Sequence, residues 1–222
     1  MAMINERDRK KVGELLSRLK NPVKLVVFTQ EMECLFCLQT RELVEEVGGL
    51  TDKLSVEVLD FVSDAERAGV LQVDKIPAVA ILGPGGKDYG LRMFGIPSGY
   101  EFMSLLEGIQ LVSSGESGLS PESKSKLKGV SSPLALQVFV TPTCPYCPRA
   151  VVLAFRLAVE SPLISAAMVE SAEFPHLATR HQVSGVPHTV IGGSLQPMVG
   201  AYPEAAAVDM IVAAAGGAPA SA

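Results

Sequence analysis

Four cysteines and two prolines carry the chemistry that this sequence offers. The cysteines form two Cys-x-x-Cys pairs, Cys34 with Cys37 and Cys144 with Cys147, and no cysteine is left over. A bridge between cysteines three apart closes too small a loop to staple a fold, so reactivity explains the pairs better than architecture does. The first cysteines stand 110 residues apart, and so do Pro77 and Pro187; each proline follows its first cysteine by 43 residues in an apolar setting, Ile76-Pro77-Ala78 and Val186-Pro187-His188. Met93-Phe94-Gly95 and Met198-Val199-Gly200 are a third echo at an offset of 105 residues. Three landmarks in one order describe a duplicated unit.

The elements that must position these residues repeat as well. Val23 to Thr29 is a β-branched apolar run, predicted to be a strand buried on both faces. Phe36, Thr40, Leu43, Val44 and Val47 then recur at helical spacing up to Gly48-Gly49. Ser55 to Val62 is a predicted strand and Ala65 to Leu71 a short helix. Ala78 to Leu82 and Tyr89 to Phe94 form a predicted hairpin through Gly83-Pro84-Gly85-Gly86, and Gly99 to Val112 a closing helix. The second half repeats the order: Leu134 to Val140, Tyr146 to Val159, Ile164 to Glu170, Phe174 to Gln182, a hairpin of His188 to Ile191 and Gln196 to Val199 about Gly192-Gly193, and a helix from Pro203 to Ala214. Leading helices are predicted near Asn5 to Leu19 and from Ser120 to Lys128, with Ser120 as N-cap and Pro121 at the first helical position. Ser113 to Gly118 has the composition of a linker, and Gly216 to Ala222 that of a disordered tail. The fold class expected is α/β, with two tandem units at 1–116 and 117–222, each a central mixed sheet flanked by helices. Ala150 to Val159 is apolar almost all round, so this helix is expected to pack on two sides, against the first unit or another subunit.

A strand that ends in Cys-x-x-Cys and opens a helix sets the first sulfur at or near the helix N-cap. Free N–H groups and the positive end of the helix dipole stabilise a thiolate there. Such a thiol has a pKa of roughly 3.5–7.5 against a free value near 8.5, so the first cysteine is the nucleophile and the second resolves the mixed disulfide. Strand, motif, helix and later apolar-Pro dipeptide resemble the thioredoxin fold, and Cys144-Pro145-Tyr146-Cys147 matches the glutaredoxin motif. Two such units in tandem resemble the glutaredoxin-like, PDI-like protein disulfide oxidoreductases of thermophilic archaea and bacteria. The resemblance implies that Pro77 and Pro187 are cis and face the cysteines, and that the backbones of Ile76 and Val186 pair with an extended substrate segment. It further implies disulfide-containing protein substrates, recharging by a thioredoxin-reductase-like flavoprotein, and peroxiredoxins as downstream partners.

The two motifs differ. Cys34-Leu35-Phe36-Cys37 has no proline between its cysteines and is approached through Glu31-Met32-Glu33, whose carboxylates oppose the helix effect. The second site has Arg149 two residues past Cys147, and Arg149, Pro145 and Tyr146 are expected to tune its thiolate. Cys144 is therefore the expected dominant nucleophile. Phe28 and Val138 stand six residues before the first cysteines, where a thioredoxin carries a buried acid, so the proton acceptor is unassigned.

Other chemistries fit less well. The two pairs are 107 residues apart, far beyond zinc-ribbon spacing, which disfavours a four-thiolate zinc or iron–sulfur site, and no metal ligand is assigned. No organic cofactor is implied, because four sulfurs hold the electrons. His188 could lie near Cys144, though a surface strand position is the expectation, and His176 and His181 are expected to be solvated. Asp60 and Glu170 are expected to cap strand ends rather than relay protons. A dedicated relay to one peroxidase is the alternative to a broad oxidoreductase. The net charge of −5, with 48% apolar and 19% charged residues, argues against nucleic acid as a partner. No apolar run suits a membrane span, and the charged Met1 to Lys20 segment does not suit a secretory signal, so a cytoplasmic protein is expected.

Overall fold

A computed structural model describes residues 3–192, 194 and 196–216. Its elements follow the duplicated plan. The first unit runs α1 (Glu6–Leu16), β1 (Val23–Thr29), α2 (Cys37–Gly48), β2 (Leu54–Asp60), α3 (Ala65–Val70), β3 (Ala78–Leu82), β4 (Asp88–Phe94) and α4 (Glu101–Ser114). The second runs α5 (Pro121–Leu127), β5 (Leu134–Val140), α6 (Cys147–Glu160), β6 (Ile164–Glu170), α7 (Pro175–Arg180), β7 (His188–Ile191), β8 (Met198–Val199) and α8 (Glu204–Gly216). Of the predicted hairpin turn Gly192-Gly193, Gly193 lies outside the described residues, as do Met1, Ala2 and 217–222 of the predicted tail.

The strands that open each repeat, β1 and β5, lie inside the sheet of their half, and the β-branched run of β1 buries both faces. In β1 every residue from Leu25 to Phe28 is solvent-free, and β1 pairs parallel with β2 and antiparallel with β3. Leu25 and Val27 pack on one side; Val26 and Phe28 pack on the other, the period-2 alternation of a strand. The α1, α2, α4, α5, α6 and α8 side chains join the first layer, and α3 with α7 covers the second. Ser120 caps α5 by accepting from Ser123 N, as its position before Pro121 predicts.

Two separate small sheets are not formed. The hairpin strand β4 pairs parallel with β6, from Leu91–Ala166 to Phe94–Val169, and fuses the halves into one eight-stranded sheet of order β2-β1-β3-β4-β6-β5-β7-β8. An open β4 edge would be a template for aggregation, and the second unit covers it. Nor is the predicted linker loose. Ser113 and Ser114 belong to α4, and Gly115 closes that helix in the left-handed conformation at φ 67°. Ser113 Oγ donates to Asn21 O at 2.7 Å, and buried Ser117 Oγ donates to Glu160. The apolar helix α6 has its two packed sides: β5 and β6 below it and α4 beside it. At Gly108 a Cβ would stand 2.9 Å from Ile81 Cδ1 and 3.2 Å from the Phe155 ring, so only glycine lets α4 settle that deep between sheet and α6.

Candidate active site

Both motifs lie where a central strand hands over to a helix. Cys37 and Cys147 are the first residues of α2 and α6 and are buried. Phe36 and Tyr146 hold the N-cap positions, so each first cysteine stands two residues ahead of the cap, in a turn, rather than on it. Cys147 N donates back to Cys144 O at 3.4 Å, which closes that turn under the helix mouth. Each pair is joined as a disulfide, with Cα atoms 5.5 Å apart in both. Cys144 is 8% exposed, whereas Cys34 is only half-buried.

The matched prolines complete the sites. Ile76–Pro77 and Val186–Pro187 are both cis. Cys144 Sγ lies 3.7 Å from Val186 O, which sets the proline edge against the sulfur. Gly95 N donates to Pro77 O at 2.9 Å and Gly200 N to Pro187 O at 2.7 Å, so each proline is anchored by the next strand of its own unit. Among the described residues no backbone hydrogen bond uses the N–H of Ile76 or Val186. Leu35, Pro145 and Tyr146, between the paired cysteines, and Arg149 on α6 are exposed.

His188 is a correction. It is buried, not on the surface, and packs edge-on against Phe139, on the face of the sheet that α3 and α7 cover. The sulfurs belong to the opposite face. Burial lowers the His188 pKa, so the ring is neutral and cannot act as a charged thiolate partner. His181 has its ring 5.5 Å from that of Phe139, while His176 is exposed as expected. Asp60 accepts from Val62 N and Ser63 N, and the Ser63 bond holds its carboxyl below the usual range: a turn cap. Glu170 is buried and accepts from Glu173 N at 2.6 Å.

The sequence pattern missed a strap that ties the two sites together. Residues 95–100, between β4 and α4, donate in turn from Gly95 N to Pro77 O, from Ile96 N to Glu173 Oε1 at 2.7 Å and from Tyr100 N to Pro142 O at 2.9 Å. Pro142 stands two residues before Cys144. Gly99 sits at φ 58°, and a Cβ there would come 2.3 Å from Pro142 O, so the strap reaches the second site only through glycine. Next in the chain is Glu101, 1% exposed, donated to by Ser104 Oγ at 2.6 Å, with Oε1 unpartnered. Burial raises its pKa from 4.5 to about 7. In the sequence an acid in the first turn of a helix looks like an ordinary dipole partner, and only tertiary packing shows that it is dry. Burial also raises Glu173 to about 7, with Glu170 nearby adding to the effect.

A carboxyl whose folded pKa exceeds its unfolded one keeps a proton that the unfolded chain has lost between those two values. Stability therefore falls as pH rises through that window. Glu101→Gln should flatten the fall between about pH 4.5 and 7, by at most about 3 kcal/mol. Urea denaturation at a series of pH values reads this, and an unchanged slope would show that Glu101 is not held protonated.

Paired sulfurs at two helix mouths, with a cis proline just ahead of the third strand of each half and Cys144 Sγ set against the Val186–Pro187 edge, define the protein as a thiol–disulfide oxidoreductase of thioredoxin fold with two Cys-x-x-Cys sites. A thioredoxin-domain family model matches residues 134–213. The protein disulfide oxidoreductase of Aeropyrum pernix superposes with a TM-score of 0.89 at 32% identity, covering 97% of this chain and 95% of that one. The chain belongs to that family of protein disulfide oxidoreductases with tandem thioredoxin-fold units. A structure of the AhpF component of alkyl hydroperoxide reductase from Enterococcus faecalis has the same fold, with a TM-score of 0.86 at 24% identity over 95% of this chain and 100% of that one. Among curated proteins, the corresponding reductase component of Pseudomonas aeruginosa is 25% identical over 196 residues, 87% of this chain and 34% of that protein. An NADH dehydrogenase of Bacillus subtilis is 24% identical over 151 residues, 68% of this chain and 27% of that protein. The chain thus spans about a third or less of the curated relatives it matches.

Proposed function

We propose that the chain is a protein dithiol–disulfide oxidoreductase with its two units at 1–116 and 117–222, acting on disulfide-containing proteins, with the second site dominant. In the reducing direction the Cys144 thiolate attacks a substrate disulfide. A Cys144–substrate bond forms, and the substrate's other sulfur leaves as thiolate. Cys147, deprotonated, then attacks Cys144 Sγ, expels the substrate's second thiolate and leaves the Cys144–Cys147 disulfide, so two electrons pass to the substrate. Cys34 and Cys37 repeat these roles. The observation that carries the reading is the backbone at Val186, whose carbonyl is 3.7 Å from Cys144 Sγ and whose N–H makes no backbone hydrogen bond among the described residues. A strand-like segment can dock there by main-chain bonds without a required sequence, and Ile76 and Pro77 offer the same edge at the first site. Arg149, Pro145 and Tyr146 tune the second thiolate.

A flavoprotein of thioredoxin-reductase type would recharge the disulfides, and a reducing cytoplasm would suit that cycle. The relatedness to the AhpF component of alkyl hydroperoxide reductase favours a second reading of equal standing, a dedicated electron relay to a peroxiredoxin. A panel of unrelated disulfide proteins, insulin included, separates the two. Broad reduction at similar rates supports the oxidoreductase, and turnover restricted to a peroxiredoxin supports the relay.

A further inference from the structure

Counted from the first cysteine, the duplicated scaffold exchanges its rim systematically. Met32, Leu35 and Leu38 of the first site correspond to Pro142, Pro145 and Pro148 of the second, and Glu31 and Glu33 to Thr141 and Thr143. The structure leaves the first three side chains in water: Met32 is 74% exposed, Leu35 80% and Leu38 63%. At the second site the strap takes up Pro142 through Tyr100 N. The first approach loop is also one residue longer. β1 ends at Thr29, paired with Asp60, and β5 at Val140, paired with Glu170, so five steps lead to Cys34 and four to Cys144. The longer loop is held, with Gln30 Nε2 donating to Met32 O at 2.8 Å and Glu33 left-handed at φ 59°.

Acids outnumber cations around the first site. Glu31 and Glu33 are exposed on the approach loop. The neighbouring β2–α3 loop, tied to β1 by Phe61 N donating to Thr29 O at 2.9 Å, brings Asp60 and Asp64, with exposed Val62 between them. Asp74 precedes the proline loop. The cation beside it, Lys75, is paired with Asp74 and lies over the Phe94 ring. Arg41, one turn along α2, is paired with Glu45. The second site has threonines on its approach, Ser184 and Gly185 before Val186, and the cation Arg149, and the acids of its corresponding β6–α7 region are turned inward, Glu170 buried and Glu173 accepting from Ile96 N. Large flexible apolar side chains ringed by acids in excess of cations make a protein-docking surface with a defined complement.

We propose that the first site is a docking site for a protein segment that carries its reactive sulfur among apolar and basic side chains, and that the two sites of this chain therefore serve different partners. This rests on the oxidoreductase reading above. The exchange is the one already written, at Cys34 and Cys37 in place of Cys144 and Cys147.

Two single-site proteins test it: Cys144→Ser/Cys147→Ser keeps the first site, and Cys34→Ser/Cys37→Ser the second. Each is reduced with a dithiol, freed of it and mixed in single turnover with cystine-bridged peptides that differ only in flanking residues, leucine with lysine, leucine with glutamate, or serine with lysine. Hydroxyethyl disulfide is the neutral reference. The first-site protein is expected to react about tenfold faster with the leucine–lysine peptide than with the leucine–glutamate one at low ionic strength, the ratio shrinking with salt. Glu31→Gln/Glu33→Gln should bring that ratio towards one. Met32→Ser/Leu38→Ser should bring the leucine-to-serine ratio towards one, whereas Val199→Ser, an exposed apolar residue on β8, changes neither ratio. Equal rate constants for the three peptides, or the same lysine preference at the second site, would overturn the proposal while leaving the oxidoreductase reading intact. Failure of both single-site proteins with every peptide and with hydroxyethyl disulfide would instead sink that reading and this one together.

Discussion

Cys144→Ser is expected to abolish exchange at the second site, a loss of at least about a thousandfold there, because a hydroxyl at that position is neither ionised nor able to form the mixed disulfide. In insulin reduction by the whole chain, Cys144→Ser should remove most of the activity, and Cys34→Ser less than about half of it. Two effects compete in this ranking. Exposure favours Cys34, which is half-buried against the 8% exposure of Cys144. On the proposed roles charge favours Cys144, since both first cysteines stand two residues ahead of a helix N-cap but Glu31 and Glu33 would oppose one thiolate while Arg149 would support the other. Nucleophilic attack needs the thiolate, and on the proposed function a substrate segment docked at Val186 would bring the sulfurs together. Charge therefore wins for an uncharged or mixed substrate. Equal or reversed losses would refute the ranking, and a reversal confined to basic substrates would agree with the docking surface at Glu31 and Glu33.

Phe155→Ala is expected to destabilise the protein by about 3–5 kcal/mol, since a fully buried ring leaves its transfer energy and a cavity behind. The site cannot collapse easily. The ring lies on α6 against the Gly108 position of α4, and α4 already rests at the closest approach that glycine allows. Phe155→Leu should lose less than about 1.5 kcal/mol by comparison. Urea denaturation measures both, and a loss for Phe155→Ala below about 1 kcal/mol would mean that the α4–α6 seam repacks. Because this seam and the β4–β6 pairing hold the halves together, the same variant reads how far the two units depend on one another.

Much of the site was legible in the chain itself. Two Cys-x-x-Cys pairs and two apolar-Pro dipeptides at one offset located both redox sites, and the apolar runs from Val23 and Leu134 located β1 and β5 to the residue. These signals are local: chain order and side-chain type settle which segment is a strand and which turn opens a helix. The readings that failed concerned neighbours. His188 looked like a surface strand residue because strand alternation does not say which layer covers a face, and α7 covers that one. Ser113 to Gly118 looked like a free linker because small polar residues do not announce that Asn21 and Glu160 bind them.

The sequence by itself determined the chemistry, the duplication and the order of elements, because sulfur spacing and hydrophobic period act over a few residues. Only the tertiary structure decided that the two sheets are one, that a strap from the first unit seats Tyr100 N against Pro142 and brings dry Glu101 alongside, and that Met32, Leu35 and Leu38 stay uncovered while the strap takes up Pro142. Burial, pairing across strands and the pKa of a carboxyl depend on what arrives from far along the chain, and no local pattern encodes that arrival.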